Sequence, residues 1–208
     1  MSEATTDLTL YYIHDPMCSW CWAFRPVWEQ VRTRLPARVR VERLLGGLAP
    51  DTDQPMPVEL QAKIRAIWQH IQRVVPGTEF NYEFWRRCRP RRSTYPACRA
   101  VVAASNQGSE FEEPMIFAIQ RTYYREARNP SDDEVLIDLA AGIGLDAARF
   151  ADDLNAPATR EELARQIDTG RRLGAEGFPS LIAVCGDDHR ELIRLDYNDP
   201  ETILRQIG

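Results

Sequence analysis

Hydrophobic and polar positions define three regimes along the chain. From Leu8 to His14, Leu8, Leu10, Tyr12 and His14 alternate with Thr9, Tyr11 and Ile13, and the aromatic and branched content predicts a buried strand. Phe24, Val27, Trp28, Val31 and Leu35 then recur at offsets of three and four. That spacing predicts one face of a helix that begins near Cys18 and ends before Pro36. Val39 and Val41 alternate with Arg40 and Glu42 and lead through Leu44 and Leu45 to Gly46 and Gly47, which reads as a second strand and its stop. Strand, helix, strand in this order implies two parallel strands in one right-handed unit. Cys18 and Cys21 then lie where the first strand hands over to the helix.

From Asp51 to about Leu173 the pattern is helical, broken by Pro and Gly. Leu60, Ile64, Ile67, Trp68 and Ile71 form one apolar stripe, and Met115, Ile119 and Tyr123 begin another. Ser131 to Glu134 and Thr159 to Glu162 match the capping box, in which hydroxyl and carboxylate satisfy backbone amides at a helix start. The helix opened by Thr159 is expected to run through Leu163 and Ile167 to Gly174.

The third regime is short. "FPSLIAVCG" is an apolar run after Pro179, "GDD" is a hairpin turn signal, and "RELIRLD" is a strand with Ile193 and Leu195 on one face. Asp199 then caps a last helix that has Pro200 at its first position and Ile203 and Ile207 on one side. Joined up, the chain predicts a small mixed sheet, βαβ then ββα, with helices on its faces and a large helical insertion between.

Composition narrows the function. With 208 residues, 44% apolar and 27% charged, the chain can bury a sizeable core without staples. A net charge of −5 argues against phosphate neutralisation as its main task, so nucleic acid is not an expected partner. The opening "MSEATTDLTLYY" has no basic segment or apolar stretch ahead of the first strand, and no eighteen consecutive apolar residues occur, so the expectation is a cytoplasmic chain with no membrane partner. Five cysteines, an odd number, predict thiols in a reducing compartment rather than a disulfide scaffold.

A thiolate, not a thiol, attacks a disulfide, so a redox cysteine must sit where negative charge is favoured. The unpaired amides and positive dipole at a helix start supply that environment for Cys18. Cys21, one turn on, can attack the mixed disulfide and release the substrate, which makes Cys18 the nucleophile and Cys21 the resolving thiol. Ser19 and Trp20 lie between them and tune the pair; Trp20 and Trp22 also read as core aromatics. A haem site would need His after the second Cys, where Trp22 stands. Structural zinc would need two more ligands, and Cys88, Cys98, His14 and His70 repeat no such spacing, so metal is not expected.

"DPMCSWCWAFRP" and "GAEGFPSLIAV", with the order of elements around them, resemble the thioredoxin fold in its DsbA-like branch. That branch also contains FrnE-type oxidoreductases, kappa-class transferases and hydroxychromene carboxylate isomerases. The resemblance implies a thioredoxin-like domain from residues 1–50 and 156–208 and an all-helical insertion over 51–155. It implies that Pro179 is a cis-proline facing the dithiol, with Gly177 allowing close approach and the Phe178 backbone offering strand-like bonds to a substrate. Pro26 falls where similar proteins kink the first helix. The buried Glu that similar oxidants carry six residues before the first Cys is replaced by Tyr12. His14 and Asp15 are nearer candidates for moving protons, although both also suit a strand end and a helix cap.

The expected activity is thiol-disulfide exchange, with reduction or isomerisation of substrate disulfides favoured over net oxidation by a reducing cytosol. A disulfide-containing protein or small thiol is the expected substrate, no bound cofactor is needed, and glutathione is the candidate cosubstrate. Two alternatives remain at this level. A glutathione-dependent isomerase or transferase would use the insertion as a pocket, and a zinc-held binding module would be no enzyme at all. In "RRCRPRRS" five arginines surround Cys88, either as a solvated face or as a site for an acidic substrate that keeps Cys88 reactive. Cys98 reads as core packing, or as a partner of Cys88 in a second redox pair, and Cys185 as buried and inert. His70 and His189 have no partner by spacing, and G-x-S-x-G, Gly-rich phosphate loops and H-E-x-x-H are absent from the sequence.

Overall fold

The computed structural model describes residues 8–186 and 189–208. Strand β1 (Leu8–His14) leads to helix α1 (Ser19–Arg34) and strand β2 (Val39–Leu45). A helical stretch follows: α2 (Val58–Val74), α3 (Phe84–Arg87), α4 (Tyr95–Ser105), α5 (Glu112–Tyr124), α6 (Asp133–Gly142), α7 (Ala147–Leu154) and α8 (Pro157–Leu173). Strands β3 (Ser180–Cys185) and β4 (His189–Ile193) and helix α9 (Pro200–Ile207) complete the chain. The strands form one mixed sheet in the order β2-β1-β3-β4. β1 runs parallel to β2 and antiparallel to β3, and β4 pairs antiparallel with β3. This is the thioredoxin-like fold with a large helical insertion that the sequence predicts. The Asp187 and Asp188 of the expected hairpin turn lie outside the described residues.

Alternation along β1 decides what each face of the sheet meets. Leu10 and Tyr12 point to one side and pack with Leu181, Ala183 and Ile193 under Phe24, Val27, Trp28 and Val31 of α1 and Ile203 and Ile207 of α9. Ile13 points to the other side with Leu44 and Ile182. There α8 passes so close that a Cβ on Gly170 would lie 3.2 Å from Ile13. The helical block has its own centre at the fully buried Trp68, which stacks on Phe80 at 4.7 Å and meets Tyr123 and Tyr124 edge-on, each at 5.7 Å. Aromatic pairs of this kind contribute about 0.5–1.5 kcal/mol each beyond area burial.

Both predicted capping boxes are overturned. Helix α6 begins after Asp132, and the buried Ser131 instead donates its hydroxyl to the Ser93 carbonyl at 2.7 Å. A buried carbonyl in need of a donor outcompetes the local box. Helix α8 starts at Pro157, whose fixed φ suits a first turn, so Thr159 lies inside the helix and Glu162 pairs with Arg165 and Gln166. The end at Gly174 (φ 100°) and the Asp199 cap on the Glu201 amide follow the sequence pattern. Strand β4 stops at Ile193, because the Gln206 amide takes both backbone groups of Arg194; Leu195 still packs with Ile193. Cys185, expected to be buried, is half-buried at the end of β3.

Candidate active site

The loop after β1 is a tight turn with Asp15 first and Pro16 second, the residue types such a turn prefers. It closes through the Cys18 amide, which donates to the Asp15 carbonyl at 3.0 Å. Cys18 is thereby delivered to the N-cap of α1 in an extended conformation (φ −81°, ψ 120°), and its carbonyl receives the Trp22 amide at 3.1 Å, the first bond of the helix. Cys18 retains 6% exposure and Cys21 none, so an outside disulfide can meet only the first sulfur. A hydrogen bond from the Cys21 thiol, helped by the amides of Cys21 and Trp20, holds the Cys18 thiol below the ordinary range; burial and the Asp15 charge oppose it. Burial, and the bond given to Cys18, push the Cys21 thiol far up.

Across the site stands the loop before β3. The Phe178–Pro179 peptide is cis, and the Cys18 thiol reaches the Phe178 carbonyl at 3.4 Å. Gly177 does not serve as the glycine of close approach, since a Cβ there would meet nothing within 4 Å. That position is Gly46 at the end of β2, where a Cβ would come within 2.0 Å of the Phe178 ring. Gly47 beside it has φ 61°, and a Cβ there would come within 2.4 Å of Ile167 and 2.8 Å of Tyr95, so neither position has room for a side chain.

Asp15 is fully buried and its carboxylate is occupied. It accepts from the Met17 amide at 2.8 Å, the Leu48 amide at 2.7 Å and the Thr94 hydroxyl at 2.6 Å, with the Cys98 thiol at 3.5 Å. One side chain thus joins the loops after β1 and β2 to the start of α4, and burial pushes its pKa up against these bonds. His14, also buried, stacks on Tyr12 at 4.8 Å. Burial, then the charges of Arg43 and Arg25, push it down to about 3, so the ring is neutral.

Ser19 accepts the indole N–H of Trp68 at 2.8 Å and fixes the first residue of α1 to the helical block. Trp20 is half-buried against His70 and Tyr197, while Trp22 stacks on Tyr124 and donates to the Glu79 carbonyl at 3.0 Å. Pro26 lies inside α1. Sequence reading found the stripe containing Trp68 but not its partner, and it missed Thr94 and Gly46, since a contact across the fold leaves no local period.

The arginine run does not converge. Arg86 and Arg87 pair with Glu83, and Arg91 pairs with Asp132 at 2.8 Å. Cys88 is not activated by them: its thiol donates to the Ala127 carbonyl at 3.2 Å and burial pushes its pKa up. Cys98 is fully buried against Asp15, so Cys88 and Cys98 are engaged with different partners. Among the described residues, no three His, Cys, Asp or Glu side chains converge on a metal position, and no helix is long and apolar enough to cross a membrane.

A mixed sheet with two cysteines at the first helix start and a cis-proline loop opposite defines a thioredoxin-fold protein. A family model described as a DSBA-like thioredoxin domain matches residues 9–208, and the chain belongs to that family. Its fold is that of the DsbA-like thiol-disulfide oxidoreductases. Among solved structures it is similar to a proposed protein disulfide isomerase from Nitrosomonas europaea, with TM-score 0.82 and 32% identity over 97% of this chain and 95% of that one. It is also similar to the cytosolic disulfide reductase DsbM from Pseudomonas aeruginosa, with TM-score 0.75 and 25% identity over 96% of each chain. The ClpXP adapter protein SpxH of Halalkalibacterium halodurans is 22% identical over 203 residues, 96% of this chain and 66% of SpxH. The chain therefore spans just under two thirds of that curated relative.

Proposed function

We propose that the protein is a disulfide reductase or isomerase in which Cys18 is the nucleophile and Cys21 the resolving thiol. The observation that carries the reading is the Cys18 sulfur at the N-cap of α1, 3.4 Å from the carbonyl that precedes cis-Pro179. The Cys18 thiolate attacks one sulfur of a substrate disulfide. A new S–S bond forms, the old one breaks, and one substrate sulfur leaves as thiolate. Cys21 then loses its proton and attacks the Cys18 sulfur, which releases the second substrate thiolate. The substrate gains two electrons and the chain is left with a Cys18–Cys21 disulfide.

The backbone of Phe178, beside Pro179, is the proposed strand-like contact for an extended substrate. Ser19 and Trp20, Asp15 and His14 support the pair rather than react. All five cysteines are free thiols, which suits a reducing, cytoplasmic setting. A small thiol of the glutathione class is assigned to re-reduce the disulfide; the similar DsbM has been solved with GSH.

Disulfide reduction by Cys18→Ser and Cys21→Ser variants tests the reading. Loss of turnover in the first and a trapped mixed disulfide in the second are expected. Full turnover in either variant removes the mechanism, and glutathione-dependent chemistry that survives Cys21→Ser points to a transferase or isomerase instead. Partner binding that ignores both substitutions, without any exchange, points to an adapter.

A further inference from the structure

Among the described residues, three buried polar atoms near Cys21 lack a hydrogen-bond partner: His14 Nε2, Trp28 Nε1 and Arg43 Nε. They come from β1, α1 and β2, yet their side chains line one small cavity together with Cys21 and Glu113. Its volume is about 10 Å³, at the ~10–15 Å³ that a single water requires. A polar cavity of that size with several unpartnered groups is the setting in which buried water is found.

We propose that this cavity is a one-water site, and that its water and Glu113 carry away the proton of Cys21 when that thiol attacks the mixed disulfide. The proposal rests on the dithiol reading above. Cys21 has no solvent exposure, so it cannot pass a proton directly to bulk water. The water oxygen accepts from the Trp28 indole and from either Arg43 or the Cys21 thiol. One hydrogen goes to His14 Nε2, with the ring proton on Nδ1, and the other is free for the Glu113 carboxylate.

Among the described residues, Glu113, from α5, is the only carboxylate lining the cavity. It is held by Arg25 at 2.5 Å and Arg43 at 3.0 Å, and its side chain is 29% exposed, so it also reaches solvent. Tyr12 from β1 also lines the cavity, and two further carboxylates reach its arginines: Glu112, 3.4 Å from Arg43, and Glu29 of α1, 3.7 Å from Arg25. In the step, the S–H bond of Cys21 breaks and its proton goes to the water oxygen as one water proton moves to Glu113. Water is regenerated, Cys21 becomes a thiolate, and Glu113 releases the proton to bulk. Arg43 then takes the vacated place on the water, which donates to the sulfur anion until it attacks Cys18.

The test is single-turnover reduction of a disulfide peptide, with the release of its second thiol followed against pH. In Glu113→Gln this resolving step should slow by about 10²-fold near neutrality, the scale of one general base, and recover at high pH. First attack by Cys18 should keep its rate. In the unsubstituted protein, NMR should show the Trp28 indole proton exchanging magnetisation with a long-lived water. A resolving step in Glu113→Gln that matches the parent at every pH, or an indole with no bound water, overturns the proposal. If Cys21→Ser traps no mixed disulfide, the dithiol reading fails and the relay with it; a trapped mixed disulfide beside an unimpaired Glu113→Gln overturns the relay alone.

Discussion

The Phe178 ring lies on Gly46, so close that a single added methyl would come within 2.0 Å of it. The end of β2 and the cis-proline loop are thus matched by the absence of a side chain. Gly46→Ala must displace the ring of the residue whose carbonyl faces Cys18, and the expected result is that this disturbs the carbonyl as well. Overpacking of this kind costs about 1–3 kcal/mol. Denaturant unfolding should register that loss and the exchange rate should fall with it; unchanged stability and rate would show that the loop is not held by this contact.

Ser19 is the only tie between the start of α1 and the buried Trp68 indole among the described residues. Ser19→Ala leaves that N–H without an acceptor, which costs about 1–3 kcal/mol. Thermal or denaturant unfolding should show the decrease. A variant as stable as the parent would mean that the indole finds another acceptor.

His14 makes a prediction about pH. Its folded pKa is pushed down to about 3 from 6.5, so the unfolded chain binds the proton first as pH falls. The stability due to the neutral ring is complete above the unfolded value and is lost progressively as pH drops from 6.5 towards 3. Asp15, pushed up by burial, acts in the opposite sense, adding stability as pH falls into its own range. Comparing the protein with His14→Phe isolates the histidine. The difference in unfolding free energy should change by a few kcal/mol across that window, and a pH-independent difference would contradict the assignment.

Much of the scaffold was legible because its periods are local. The alternation in Leu8–His14 and Val39–Leu45 and the three-four spacing from Phe24 to Val31 define β1, β2 and α1 with little ambiguity. The position of Cys18 at the N-cap follows from where those periods change. What local rules could not supply was the identity of partners. The Ser131 hydroxyl is claimed by a carbonyl 38 residues away, and the Trp68 indole by a serine 49 residues away. Gly177 was the glycine expected at the close approach, but Gly46 faces the Phe178 ring, and only the packed loops decide it. Asp15 was readable as a cap or a proton carrier, but its four contacts come from three separate segments. The arginine run gave the opposite lesson: a dense charge cluster in sequence is divided among Glu83 and Asp132 in space.

The central claim is that Cys18 is the thiol favoured as an anion. Its ionisation can be followed directly by the pH dependence of thiolate absorbance, or of alkylation at Cys18, in the reduced protein and in Cys18→Ser. Ionisation of Cys18 below the range of an ordinary cysteine, with Cys21 still protonated, is the predicted result. Ionisation at or above that range, or Cys21 reacting before Cys18, would contradict it.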